Sequence, residues 1–81
     1  MNVRVRLFAA ARQAAGRDAV ELELPTAATI ADLRRSLAER FQPLSTLLPH
    51  VLFAINAEYA GDATPIPAGA EIACIPPVSG G

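Results

Sequence analysis

The chain has 81 residues, a hydrophobic fraction of 52% and a formal net charge of −1, from seven arginines, no lysine and eight acids. This length supports one domain around a single core, and the charge balance excludes a basic footprint for nucleic acid or for an anionic membrane. One cysteine, Cys74, excludes an internal disulfide and a cysteine-based metal site and fits a reducing cytoplasm; no apolar run approaches the ~20 residues of a membrane span, and Leu7 to Ala11, interrupted by Arg12, is too short and too charged for a signal-peptide core.

Residues 2–8 alternate, with Val3, Val5 and Leu7 on one face and Arg4, Arg6 and Phe8 on the other, which predicts a half-buried strand. The alanine-rich stretch 9–15, stopped by Gly16, reads as a short helix or helical turn. Val20, Leu22 and Leu24 alternate with Glu21 and Glu23, and Pro25 ends this second strand. A hairpin of the two strands sets Glu21 and Glu23 beside Arg4 and Arg6, so these four charges read as a solvated sheet face rather than a substrate site.

Thr29 opens the main helix with Asp32 three residues on, a capping-box start with an acid at the positive end of the dipole. Ile30, Leu33, Leu37 and Phe41 form its apolar stripe; Arg34, Arg35, Glu39 and Arg40 fall largely outside it. The stripe is core, and Pro43 ends the helix region. Residues 44–50 form an irregular link with room for one short helical turn. His50, with no second ligand or acid at useful spacing, reads as a loop residue.

Val51 to Ile55 is a continuous apolar run, predicted to be a strand buried on both faces. Asn56-Ala57 is a turn, Glu58 to Ala60 a short strand closed by Gly61-Asp62, and Pro65 to Ala70 a connection of fixed and left-handed dihedrals. The last strand, Glu71 to Ile75, puts Ile72 and Cys74 on one face and Ala73 and Ile75 on the other. Cys74 is thus expected to be a small core hydrophobe. With one helix across one sheet face, Phe8 and Ile75 point to the other face, near the start of the tail. They form an exposed apolar patch that Tyr59 joins if its side chain turns that way. The competing expectation is that Phe8 caps the edge of the core.

Residues 1–75 are therefore read as the domain and 76–81 as an extended tail. Pro76 and Pro77 fix φ and hold its start away from the body. Val78 is one apolar residue able to lock into a partner's groove, Ser79 follows, and Gly80-Gly81 makes a thin end that enters a narrow channel. Fully extended at ~3.3–3.6 Å per residue, six residues reach about 20 Å. The bland reading is a frayed terminus. A frayed end has no need of a stiff Pro-Pro base after a strand, nor of a final Gly-Gly.

The order strand, strand, helix, strand, short strand, strand matches an α+β, ubiquitin-like β-grasp, with a mixed sheet of four to five strands. Pro76-Pro77-Val78-Ser79-Gly80-Gly81 resembles the ending of the small subunit of molybdopterin synthase. So do Leu7-Phe8-Ala9-x-x-Arg12, Val51-x-x-Ala54-Ile55-Asn56 and Ile66-x-x-Gly69-x-Glu71-Ile72, in the same order. The chain departs from many relatives in carrying Ala68 and Ala70 around the turn glycine and Cys74-Ile75 where aromatics are common.

The resemblance implies a sulfur carrier for molybdenum cofactor biosynthesis, with no catalytic constellation of its own. A carboxylate is a poor electrophile because its leaving group would be oxide. An adenylating activating enzyme would use ATP to convert the Gly81 carboxylate to a mixed anhydride. A sulfur donor protein would then displace AMP, leaving a thiocarboxylate. The large synthase subunit would hold the acceptor, a cyclic pyranopterin phosphate, in a two-plus-two heterotetramer. Pro76, Pro77, Val78, Ser79, Gly80, Phe8, Ile75 and Tyr59 are the expected partner-binding residues. No metal and no bound cofactor are expected for this chain alone. Three alternatives remain open: a carrier of another pathway, such as thiamine synthesis; a ubiquitin-like protein modifier; and a non-covalent interaction domain with an inert tail. The Pro-Pro-Val-Ser stem argues against the first, and the lack of lysine excludes lysine-linked chains in the second.

Overall fold

The computed structural model describes residues 1–77. Strand β1 (Asn2–Leu7) alternates as expected, with Val3, Val5 and Leu7 buried. Helix α1 (Ala9–Ala15) ends on Gly16, whose φ of 72° lets its N–H turn back to the carbonyl of Arg12 at 2.9 Å. Strand β2 (Ala19–Glu23) then runs antiparallel to β1.

The β1–β2 register differs from the charge ladder predicted for it. Arg4 does face Glu21, but Glu23 faces Asn2 and Arg6 faces Ala19. The buried residues set this register: Val3 opposite Leu22 and Val5 opposite Val20 keep both apolar sets inward. The charges then take what partners they find. Glu21 accepts a hydrogen bond from Asn2 Nδ2 at 2.7 Å, and Arg6 pairs across the sheet with Glu71 at 3.4 Å. Exposed pairs of this kind are worth only ~0–1 kcal/mol each.

Helix α2 (Ile30–Arg40) begins with the predicted capping box. The Thr29 N–H donates to Asp32 Oδ2 at 2.9 Å, and the Asp32 N–H donates to Thr29 Oγ1 at 3.3 Å. Ile30, Leu33 and Leu37 are fully buried, and Phe41, just past the helix, is half-buried against the same core. Arg34 does not lie outside the packing as predicted. Its Nη1 donates to the carbonyls of Leu48 and of Val51 (2.9 Å), and its Nη2 pairs with Asp62 at 2.9 Å. Its guanidinium also stands 5.1 Å from the Phe53 ring centre. One arginine thus ties the helix to three later segments, a task its planar fork of donors suits.

The link holds two short 3-10 turns, Gln42–Leu44 and Leu48–His50, rather than one. Each drops one leucine into the core, Leu44 at 0% and Leu48 at 1% exposure. His50 is exposed, as a loop residue would be.

Strands β3 (Leu52–Ile55), β4 (Glu58–Ala60) and β5 (Glu71–Ile75) complete one five-stranded sheet in the order β2-β1-β5-β3-β4. β5 lies parallel to β1, and the other pairs are antiparallel. β3 and β4 are joined by Asn56-Ala57, both at positive φ (49° and 71°). This is the twist a two-residue hairpin loop requires. α2 and the core occupy one sheet face. β3 is therefore not buried on both faces as predicted: Phe53 is 1% exposed but Leu52 is 58% exposed. A single helical layer covers a single face, so alternation sends Leu52 to the open one. Ala54 shares that face yet stays buried, a small side chain between its strand partners Tyr59 and Ala73.

Candidate functional site

The open sheet face divides in two. Along β1 and the start of β5, Arg4, Arg6, Asp18 and Glu71 line a charged depression. Toward the ends of β1 and β5, Phe8, Ala54, Ala57, Tyr59, Ala73 and Ile75 line an apolar one. Phe8 follows Leu7, which pairs with Cys74, so Phe8 and Ile75 stand at the same end of neighbouring strands. Leu52 pairs with Ile75 from the other side, and Tyr59 with Ala54. Phe8, Ile75 and Tyr59 are thus brought together as expected, and Tyr59 turns outward at 71% exposure.

Phe8 is 38% exposed, with the Arg6 guanidinium 5.3 Å from its ring centre. Arg6 is a solvent-side residue of β1, so the ring belongs to the open face rather than to the core. Apolar surface is thus left exposed together on this face by Phe8, Leu52, Tyr59 and Ile75. Leu52 is the member that sequence reasoning missed. Its signal was the alternation with Phe53, masked because all the residues of the run are apolar.

The core face offers no chemistry. No polar side chain is buried among the described residues. Cys74 sits there at 0% exposure, and burial pushes its thiol up to about 11, with Arg34 pulling weakly the other way. A thiol in that state is a packing group rather than a nucleophile.

Pro76 and Pro77 leave the same end of β5 that carries Ile75. Pro76 is buried and Pro77 exposed. A buried Pro76 does not stand away from the body as expected. Val78, Ser79, Gly80 and Gly81, expected to bind the partner and carry the chemistry, lie outside the described residues. Among those described, no helix is long and apolar enough to cross a membrane.

A five-stranded mixed sheet with one long helix across one face, an apolar open face and an exit beside its edge defines a ubiquitin-like β-grasp domain. The chain belongs to the ThiS family, which matches it over residues 5–81. It is 36% identical to the molybdopterin synthase sulfur carrier subunit of Dictyostelium discoideum, over 96% of this chain and 94% of that protein. It is 33% identical to the subunit of the same name from Arabidopsis thaliana, over 100% of this chain and 84% of that protein. Among solved structures it resembles the small archaeal modifier protein 1 of Haloferax volcanii, with a TM-score of 0.84 and 27% identity over 95% of this chain and 98% of that one. A complex of subunits 1 and 2 of the molybdopterin-converting factor from Helicobacter pylori matches at a TM-score of 0.72 and 27% identity, covering 100% of both chains.

Proposed function

We propose that this chain is the sulfur carrier subunit of molybdopterin synthase, with the Gly81 carboxyl as its working group. The observation that carries the reading is the match to sulfur carrier subunits along the whole chain, through Gly80-Gly81. The apolar face beside the tail's exit supports it, because a carrier needs a surface for the proteins that load and unload it.

The chemistry proceeds in three steps. The Gly81 carboxylate attacks ATP held by an adenylating activating enzyme, forming an acyl adenylate and releasing pyrophosphate. Sulfide-level sulfur mobilised by a donor protein bonds to the Gly81 carbonyl carbon as the carbon–oxygen bond to AMP breaks; AMP departs, the sulfur gives up its protons, and a Gly81 thiocarboxylate remains. In the large synthase subunit the thiocarboxylate sulfur bonds to the cyclic pyranopterin phosphate; water then cleaves the acyl carbon–sulfur bond, leaving the sulfur on the pterin and restoring the Gly81 carboxylate. The chain is not an enzyme on its own; it is the sulfur-donating subunit of a sulfurtransferase. It needs no bound cofactor, since ATP is consumed by the activating enzyme. Phe8, Leu52, Tyr59 and Ile75 dock the domain, while Pro77, Val78, Ser79 and Gly80 lead the terminus into the partner's channel. A reducing cytoplasm keeps both thiocarboxylate and Cys74 unoxidised.

Intact-mass measurement on the protein from its native cell tests this. The expected result is a fraction in which one oxygen is replaced by sulfur, lost on incubation with the large subunit and its pterin substrate. A second reading, protein modification, is favoured by the likeness to the archaeal modifier. It predicts a ladder of conjugates in cell lysate, which the carrier reading does not.

A further inference from the structure

Once activated, the Gly81 carboxyl is an acylating agent, and any amine or thiolate within reach would consume it. Every cationic side chain of this protein is an arginine, seven of seven. A guanidinium stays protonated in proteins and offers no free lone pair for acylation. The α-amino group of Met1 is half-buried. It donates to the carbonyl of Leu24 at 2.6 Å and lies 3.6 Å from Glu23 Oε2. Those contacts tie it to the edge of the sheet. The thiol of Cys74 is closed off in the core, beneath the sheet face opposite the docking patch.

The remaining exposed nucleophilic atoms are weaker, among them the hydroxyls of Thr26 and Thr46 and the side chains of Tyr59 and His50. Tyr59 presents a phenol, but an aryl ester is itself an activated acyl group that water hydrolyses. His50 presents an imidazole, but an acylimidazole is itself activated and passes its acyl group to water. Neither leaves a lasting adduct.

We propose that this chain is chemically silent toward its own activated terminus: it presents no lysine amine and no accessible thiolate, so an activated Gly81 acyl group survives encounters with other copies and is surrendered only to a partner's nucleophile. The inference rests on the carrier reading above. In the reaction that is avoided, an amine nitrogen bonds to the Gly81 carbonyl carbon. The carbon–oxygen bond to AMP breaks, AMP departs, and the nitrogen gives up one proton. A lysine on the surface of any copy would open that route and drain the activated pool into chain–chain amides. The same property limits any modifier activity to one copy per target amine.

The test needs an acyl donor that works without the activating enzyme. The chain is prepared with a Gly81 α-thioester by intein cleavage and incubated alone at mildly alkaline pH, then followed by intact mass. The unsubstituted protein is expected to show hydrolysis only. Arg17→Lys and Arg40→Lys, both at exposed positions away from the apolar patch, are expected to gain a species of two chains joined with loss of the thiol. A native chain that joins to itself as readily as those variants overturns the proposal. So do lysine variants that stay as single as the native chain. Cys74 is expected to resist iodoacetamide until urea unfolds the protein, and alkylation at equal rates in both states would also overturn the proposal. A parallel arm supplies activating enzyme and ATP without a sulfur donor. Absence of pyrophosphate release there sinks the carrier reading, while the thioester arm still decides the chemical silence.

Discussion

The two faces of the sheet are built from the same strands and differ in almost everything else. The covered face is aliphatic, filled by Val3, Val5, Leu7, Val20, Leu22, Phe53, Ile72 and Cys74 against Ile30, Leu33 and Leu37 of α2. The open face carries Arg4, Arg6 and Glu71 at one end and Phe8, Leu52, Tyr59 and Ile75 at the other. The covered face determines stability, because burial releases its apolar surface from water, and the open face leaves apolar surface available for the docking proposed above. Activity and stability should therefore separate cleanly by face, and the tail should belong wholly to activity.

The largest separation is expected at the tail. Adding one residue after Gly81, deleting it, or replacing Gly80 by Phe should abolish or severely slow sulfur transfer. Folding stability should stay within about 0.5 kcal/mol of the starting protein, as for other surface changes. Product formation with purified activating enzyme, donor and large subunit, run beside thermal unfolding, measures both. An extended, untrimmed chain that still transfers sulfur would sink the carrier mechanism. The covered face should give the reverse pattern. Leu37→Ala, at a fully buried helical position, should cost about 2–5 kcal/mol in chemical denaturation. The fraction that remains folded should still bind its partner.

The open face sharpens the contrast at a smaller scale. Leu52→Asp or Phe8→Ala should weaken large-subunit binding by about 1–2 kcal/mol in titration calorimetry. Neither should lower the unfolding midpoint by more than a surface change does. A large stability loss in Phe8→Ala with binding intact in the folded fraction would assign Phe8 to the core edge. Two further effects are expected to be local. Ala57 holds a φ of 71° in the β3–β4 turn, a conformation that costs an L-residue roughly 1–2 kcal/mol. Ala57→Gly should therefore stabilise the domain by a fraction of that cost, the rest being offset by chain entropy in the unfolded state.

The smallest effect is a pH dependence at Asp32. The backbone N–H of Thr29 holds this carboxyl below its ordinary 3.8, with Arg35 adding to the shift and burial opposing it. A carboxyl depressed in the folded state stabilises at pH above 3.8, and that contribution disappears as pH falls through the folded value. Asp32→Asn should flatten the acid limb of stability below pH 4 relative to the parent, read from thermal midpoints.

How much of this was legible beforehand follows from how local each signal is. The capping box at Thr29 and Asp32, the stop at Gly16 and the alternation of β1, β2 and β5 involve residues within a few positions of one another, so chain chemistry alone specified them. The same alternation placed Phe8 and Ile75 on one face and Cys74 on the other. The two 3-10 turns were less legible. Leu44 and Leu48 are spaced like a helix face, but prolines at 43 and 49 break the segment into pieces too short for periodicity to show.

The sequence by itself determined the element order, the helix ends, the inward set of each alternating strand and the Gly-Gly end whose chemistry the family resemblance supplied. Tertiary structure alone decided four things: the register that separated Glu23 from Arg6, the exposure of Leu52, the burial of Pro76 and the anchoring of Arg34 to Leu48, Val51 and Asp62. Each of these depends on which distant segment lies alongside. An all-apolar run cannot announce which of its residues faces a helix. An arginine cannot announce that carbonyls fourteen and seventeen residues away will converge on it. Pairing across the sheet and packing of one helix on one face are long-range events, and they are settled only when the whole core closes.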